Sequence, residues 1–547
     1  MLVNIYGAKC IGIDATKVTV EVDIRGGVGI HLVGLADTAV KESLLRTVTA
    51  LQAMGYHIPG KKIIINLAPA DLHKSGSGYD LPIALGIIAA SGQRTMPRLE
   101  EFIIMGELGL DGSVREIAGA LPFADMAAKE GFRGCIFPLR SALEASDIDG
   151  SEIYGVETLE DVLRILEGGI CDDLLVWNTG LYRQLKEEGG SPCKDGDYMD
   201  FAEIVGHESA KRGAEIAAAG AHNLIMIGPP GSGKSSIAKA IAGILPPMNR
   251  EEALTTSKIY SVAGRVLSQQ GLIRQRPFRA PHYSASIPAL IGGGSGGSVL
   301  PGEVSLAQGG VLFVDEFAQL PKGVSEALRG PLEDRKVTIS RLRSKIEYPS
   351  SFMLVAASNP CPCGYWGDGE RCTCSVGQRL GYLARLSGPI MDRIDLQVWM
   401  HAVEAKRLVS FEQRESTAQV ARRVARARRI QRMRFEGEGI STNAQMSKRQ
   451  IDLFCPLSDE CKDVMETLIQ RLGLSARAFS RILKLARTIA DLSVAADDSL
   501  WAPQSAAGVF PGEPELLGGT VIPDIRPADL YEAASYRFLD RRDPMNM

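Results

Sequence analysis

The segment that most constrains this chain is an apolar run, NLIMI at 223–227. It leads straight into Gly228, Pro229, Pro230, Gly231, Ser232, Gly233, Lys234, Ser235 and Ser236, and then into the amphipathic stretch IAKAIAGIL. Strand, glycine-rich loop and helix in that order build a phosphate cradle. Backbone N–H groups wrap the anion, and the helix N-terminus adds its dipole. In such a loop Lys234 reaches the β- and γ-phosphates, and the Ser235 hydroxyl can ligate Mg²⁺. A glycine-rich loop arising by chance lacks the flanking strand and helix. The pattern therefore predicts an α/β fold that binds ATP with Mg²⁺.

Two further segments extend this reading to hydrolysis. VLFV at 311–314 is an apolar strand that ends in Asp315 and Glu316. A carboxylate at a strand end can hold the Mg²⁺ shell, which suits Asp315, while Glu316 can polarise the attacking water. A third strand, Phe352 to Ala357, ends at Ser358 and Asn359, where a polar side chain can orient that water.

Outside this region, KVTVEVDI at 17–24 alternates strictly, with Val18, Val20, Val22 and Ile24 on one face, as in a half-buried strand. KIIINL at 62–67 and CIFPL at 135–139 read as strands, and 36–54, Asp80 to Ala90 and Leu121 to Glu130 as helices. The Gly-, Ser- and Pro-containing EEGGSPCKDGD at 187–197 reads as a linker, and the Ala-, Gly- and Pro-rich 493–520 as a loop insertion. The predicted division is 1–175, linker 176–200, a second α/β region over 201–400, and a helical region over 401–547.

Composition sets outer limits. At 547 residues with 45% apolar and 23% charged side chains, the chain is not globally disordered. A net charge of −4 argues against a wholesale basic nucleic-acid binder, so any such surface must be local. No apolar run reaches the length of about 18 residues needed to span a membrane. The first residues, MLVNIYGAKC, lack the pattern of a secretory signal. Ten cysteines in an unexported chain predict thiols or a metal site, and a cytoplasmic location.

RPFRAPHYSAS (276–286), PGEVSLAQGGVLFVDEF (301–317), AASNPCPCGYWGD (356–368), SGPIMDRIDL (387–396) and LSARAFSRILKLARTIADL (474–492) resemble the AAA+ ATPases of the magnesium-chelatase-like branch. The similarity is closer to the ComM/YifB family and covers nearly the whole chain. It implies a Lon-protease-like (ribosomal S5 domain 2-like) N-terminal domain, a P-loop AAA+ core and a C-terminal helical lid. It also implies a hexameric ring that acts as a branch-migration helicase on DNA in natural transformation. By position, Asn359 matches sensor 1, Arg393 the arginine finger and Arg477 sensor 2, which is expected to sense the γ-phosphate from the lid. A finger works in trans, its guanidinium fork neutralising charge on a neighbour's γ-phosphate.

In the Lon-like register Gly76 falls at the nucleophile position and Phe123 at the lysine. No nucleophile–base pair is then available, and peptidase activity is not expected. Ser75 and Ser77 read as turn residues. Cys361, Cys363, Cys372 and Cys374 form a C-x-C-x₈-C-x-C cluster within 361–374, a candidate for structural Zn²⁺, with reduced thiols or a redox role as alternatives. Cys10, Cys135 and Cys455 read as small buried hydrophobes.

Basic residues concentrate in three places: Arg274, Arg276, Arg279 with His282; Arg341, Arg343 and Lys345 in a hairpin; and seven arginines in 421–434. In this branch of AAA+ proteins such inserts face a central channel, where cations can track single-stranded or branched DNA. The 421–434 helix reads equally as a solvated face or a subunit seam. His31, His57, His73, His207 and His222 lack ligand spacing and take no role. The rival readings are a chelatase motor subunit acting through a protein partner on metal insertion, and a regulatory ATPase acting on proteins.

Overall fold

Strict alternation at the start of the chain produces a longer strand than the pattern alone marks. In Asp14–Arg25, Val18, Val20 and Val22 are fully buried between less buried neighbours. This strand pairs antiparallel with Leu2–Ile11 on one side and Lys62–Ala68 on the other. Gly29–Val33, Phe102–Ile104, Gly134–Pro138 and Glu152–Val156 complete a mixed seven-stranded sheet. The Leu2–Ile11 strand escapes a periodicity search because Gly7 interrupts it. A Cβ there would lie 2.9 Å from the Met105 sulfur, the close approach that glycine in a strand often marks.

The computed structural model describes residues 2–35, 37–74, 76–188, 198–265, 271–294, 299–341, 344–367, 371–386, 390–402, 414–501 and 523–540. Helices Asp80–Ala90 and Ala120–Lys129 pack on the first sheet, and one hydrophobic core runs from Ile5 to Val176. The expected linker 176–200 is helical over Gly180–Glu188, whose Leu181 and Leu185 pack on the first core, and its residues 189–197 lie outside the described residues.

The second sheet has five parallel strands in the order Phe278–Arg279, Val311–Val314, Met353–Ser358, Leu224–Ile227 and Leu396–Trp399. Its three middle strands are buried along their whole length, as expected when both faces are covered. Because every strand runs the same way, all the C-terminal ends lie along one edge of the sheet and all the N-terminal ends along the other. The hairpin expected around 340–348 pairs Lys336–Arg341 with Ser344–Pro349.

Helices Thr417–Arg434, Asp459–Leu472, Ala476–Ala495 and Pro527–Ser535 form the C-terminal region. The Ala476–Ala495 helix takes the first residues of the expected 493–520 insertion, and 502–522 lie outside the described residues. After them the chain returns to the sheet edge. Gln397 N–H donates to the Tyr536 carbonyl at 2.9 Å, and the Arg537 guanidinium donates to the carbonyls of Ile394 and Asp395 at 2.5 and 3.1 Å.

The two α/β regions touch. Lys258 bridges to Asp14 (3.2 Å) and Asp125 (2.7 Å), and Gly119 N–H donates to the Ser261 carbonyl at 3.1 Å. Among the described residues, no helix is long and apolar enough to cross a membrane.

Candidate nucleotide-binding site

The glycine-rich loop leaves Leu224–Ile227 at the C-terminal edge of the parallel sheet, where Gly228 N–H donates to the Ser358 carbonyl at 3.2 Å. Gly231 and Gly233 take left-handed φ angles of 76° and 79°, which glycine adopts without steric cost, and helix Lys234–Ile244 starts immediately after. The Lys234 ammonium is nearly buried. It donates to the carbonyls of Gly228 (2.8 Å) and Pro229 (2.9 Å) and stands 3.5 Å from Asn359 Oδ1. Burial lowers the pKa of Lys234, and the negative charge of Asp315 offsets part of that effect.

Ser235 Oγ lies 3.5 Å from Asp315 Oδ2, close enough for both oxygens to ligate one hard cation. Asp315 Oδ1 accepts a 2.8 Å hydrogen bond from the backbone N–H of Glu316. Glu316 itself sits at a φ of 49°, a left-handed conformation that costs a non-glycine residue about 1–3 kcal/mol and tends to cluster at active sites. One strand edge thus gathers an ammonium, a hydroxyl, two carboxylates and a carboxamide.

Arg393 and Arg477 stand elsewhere. Arg393 lies just before Leu396–Trp399, and its carbonyl accepts from the side chain of Asn223, the residue preceding Leu224–Ile227. Both arginines are therefore at the N-terminal edge, a strand's length from the phosphate loop. Arg393 pairs with Glu333, and Arg477 with Asp392. They line one cavity of about 620 Å³ between the sheet and the C-terminal helices. Beside it, buried His222 contacts Asp395 Oδ2 at 3.4 Å and Thr488 Oγ1 at 2.8 Å, tying the sheet to the Ala476–Ala495 helix. Burial pushes the Asp395 carboxyl up, but the hydrogen bond and charge of His222, with Arg481 and Lys484, outweigh it and hold the pKa down to about 2. Spacing alone gives His222 no such role.

The basic segments divide when their partners are seen. Arg276 donates to the carbonyls of Pro246 and Gly309, both at 2.6 Å, and to Glu252 at 2.9 Å. Arg279 grips Glu303 with two bonds of 2.6 and 2.8 Å. These two side chains are committed within the chain, whereas His282 is exposed and Lys345 is a surface side chain near Glu347. Arg274 stands 3.7 Å from Asp147. Arg343 lies outside the described residues, as does the side chain of Arg341.

The arginine-rich helix proves to be an intrachain seam. Arg423 pairs with Glu215 (2.5 Å), Arg428 donates to the Ala218 carbonyl, and fully buried Arg434 pairs with Asp491. Those partners lie far away in sequence, so no local pattern shows them.

The four clustered cysteine sulfurs lie within 4.8 Å of one another, with separations of 3.3, 3.7 and 3.8 Å recorded among Cys361, Cys363 and Cys372. A disulfide would need about 2.05 Å, whereas a tetrahedral thiolate site with metal–sulfur bonds of about 2.3 Å has edges near 3.8 Å. The cysteine loop also touches the phosphate loop. A Cβ on Gly364 would lie 3.0 Å from Pro230 Cδ.

At the Lon-like turn, Gly76 and buried Phe123 line a cavity of about 540 Å³ whose far wall includes Ile346 and Tyr348 of the hairpin. The Ser77 hydroxyl donates to Glu107, and the buried Lys74 ammonium to the Pro69 carbonyl. Ser75 lies outside the described residues.

Comparison with known proteins places these features in a wider group. Residues 20–141 match the model for "Subunit ChlI of Mg-chelatase", 200–408 that for "Magnesium chelatase, subunit ChlI", and 414–499 that for its C-terminal part. The chain is 41% identical over 497 residues to the YifB protein of Salmonella typhimurium, spanning 90% of this chain and 94% of that protein. It is 41% identical over 493 residues to competence protein ComM of Haemophilus influenzae, again spanning 90% and 94%. A shorter stretch of 173 residues is 25% identical to the archaeal Lon protease of Methanocaldococcus jannaschii, covering 30% of this chain and 26% of that one.

Proposed function

The chain belongs to the ComM/YifB family of magnesium-chelatase-like proteins, and on that footing we propose that it is an ATP-hydrolysing AAA+ ring motor acting on branched or single-stranded DNA. The observation that carries this reading is the gathering of Lys234, Ser235, Asp315 and Asn359 at one edge of the sheet, with Arg393 and Arg477 at the opposite edge. Lys234 exchanges its two backbone carbonyls for the β- and γ-phosphates. Ser235 and Asp315 would hold Mg²⁺, which neutralises charge on the phosphate oxygens. Glu316 takes the proton of the attacking water, and Asn359 holds that water in line. Arg393 and Arg477 cannot reach their own phosphate loop from the far edge. They serve the neighbouring copy, and a closed ring, as in a homohexamer, satisfies every site.

One relative's name ties that protein to competence, and we assign this chain a matching part in recombination of incoming DNA. The cysteine cluster fits structural Zn²⁺, with Cys361, Cys363, Cys372 and Cys374 as thiolate ligands bracing the segment that carries Asn359. Metal analysis after purification without chelators tests this, and the expected result is one zinc per chain. The N-terminal region, lacking the Ser–Lys pair, serves as a scaffold or interaction face.

The direct test is the ATPase rate with and without forked, four-way and single-stranded DNA over a salt series. Stimulation that falls as salt rises supports the DNA motor. Stimulation only by a protein partner or a porphyrin favours the chelatase-type reading.

A further inference from the structure

The arginine-lined cavity holds one cation that neither sequence spacing nor family resemblance marks. Arg335 closes the short helix Arg329–Asp334 in a left-handed conformation, φ 54°, just before the hairpin strand Lys336–Arg341. Its backbone is pinned there: its N–H donates to the Pro331 carbonyl at 3.0 Å, and its carbonyl accepts from Ser350 N–H at 2.9 Å. Glycine would adopt this conformation without the cost that a side chain adds. The chain nevertheless carries an arginine.

Its side chain lines the same cavity of about 620 Å³ as Arg393 and Arg477. The neighbouring arginines and Lys484 have partners, while Lys448, which also lines the cavity, is exposed to solvent. Arg393 has Glu333, Arg477 has Asp392, Arg481 lies 3.5 Å from Asp395, and Lys484 donates to the Ala444 carbonyl at 3.0 Å. Among the described residues, the Arg335 guanidinium has no hydrogen bond or ion pair. Burial lowers its pKa, and only the charge of Asp395, already shared with Arg481 and His222, works against that. The side chain is half-buried in the cavity, and a guanidinium there with no acid bonded to it has its donors available to an anion that enters.

We propose that Arg335 is a third cation of the shared hydrolysis site, crossing the subunit seam with Arg393 and Arg477 to the terminal phosphate of the ATP held by the neighbouring copy. This rests on the ring reading above. The triphosphate is the anion that fits, because two cations assigned to it already line the cavity. The planar fork of Arg335 would take γ-phosphate oxygens left free by Arg393. Its rigid backbone setting matters, because donors fixed before reaction are the ones that stabilise developing charge most.

The full-length Arg335→Gly protein provides the test. Glycine removes the left-handed strain, so Tm should hold or rise, while kcat falls on the order of 10²-fold, as for loss of one preorganised donor. Arg335→Lys should recover part of that loss. Mixing Arg335→Gly with Glu316→Gln protein should restore turnover that neither shows alone, because the second variant offers an intact cavity to the first variant's phosphate loop. The control mixture is Arg393→Ala with Glu316→Gln. Wild-type kcat in Arg335→Gly overturns the inference. So does failure of its mixture when the control mixture recovers, and the ring reading then still stands. If neither mixture recovers, the shared site itself is wrong, and the assignment of Arg335 falls with it.

Discussion

The two edges of the five-stranded sheet carry opposite chemistry on one framework. The C-terminal edge has one nearly buried lysine, whose ammonium is satisfied by its own loop, beside the carboxylates of Asp315 and Glu316. The N-terminal edge has a cavity crowded with guanidinium groups and only a few acids to match them. A parallel sheet explains the first edge, since loops and helix N-termini converge where strands end. It does not explain the second, which depends on the C-terminal helices folding back over the strand starts. In the reading proposed above, each edge is half of a phosphoryl-transfer site, and a second copy of the chain supplies the other half.

The comparison is broken most severely at the first edge. Glu316→Gln should retain ATP binding and lose at least about 10²-fold in kcat, the scale of a lost general base. Nucleotide-binding titration beside steady-state turnover checks this. Retained turnover would remove Glu316 from its assigned role. Lys234→Ala should lose nucleotide binding itself.

At the second edge, Arg393→Ala should lower kcat by about 10³-fold, the lower range for an arginine finger. The affinity of the isolated chain for ATP should stay unchanged. A matching loss of affinity would mean that Arg393 reaches its own phosphate loop.

The cover over that edge depends on the buried pair of Arg434 and Asp491. Asp491→Ala leaves the arginine uncompensated and should cost about 3–5 kcal/mol in chemical denaturation. Salt-dependent DNA affinity should not change if this helix is an interior seam.

The smallest effect concerns the contact between the two α/β regions. Neither Glu144 carboxylate oxygen has a well-aligned hydrogen bond, and burial pushes this carboxyl up to about 7 despite nearby Ser261 and the backbone of Leu121. A raised carboxyl pKa means that the folded state holds the proton more tightly. Its contribution is complete below the ordinary carboxylate range and is lost as pH rises through about 7. Glu144→Gln should flatten that fall and raise Tm at pH 8 by about 2–4 °C.

Legibility from sequence follows the range of the interactions. The phosphate loop, Asp315 and Asn359 are readable because strand, turn and helix are adjacent in the chain. Arg393 and Arg477 need the family resemblance, since an arginine beside an aspartate has no distinctive local pattern. The arginine-rich helix looks like a nucleic-acid face because its partners, Glu215 and Asp491, are about 200 and 60 residues away. Arg276 and Arg279 look available for the same reason, although Glu252 and Glu303 hold them. Leu2–Ile11 hides behind Gly7. Arg335 has no sequence signal at all, because its distinguishing features are a backbone angle and the lack of a counter-ion.

The most direct measurement of the account is the ATPase rate per chain across a dilution series, with assembly followed in parallel by light scattering. If each site is completed by a neighbour's arginines, the rate per chain falls steeply as rings dissociate, and the Arg393→Ala protein is uniformly slow at every concentration. A rate per chain that stays constant from the assembled ring down to the monomer would contradict the division of the site between two copies.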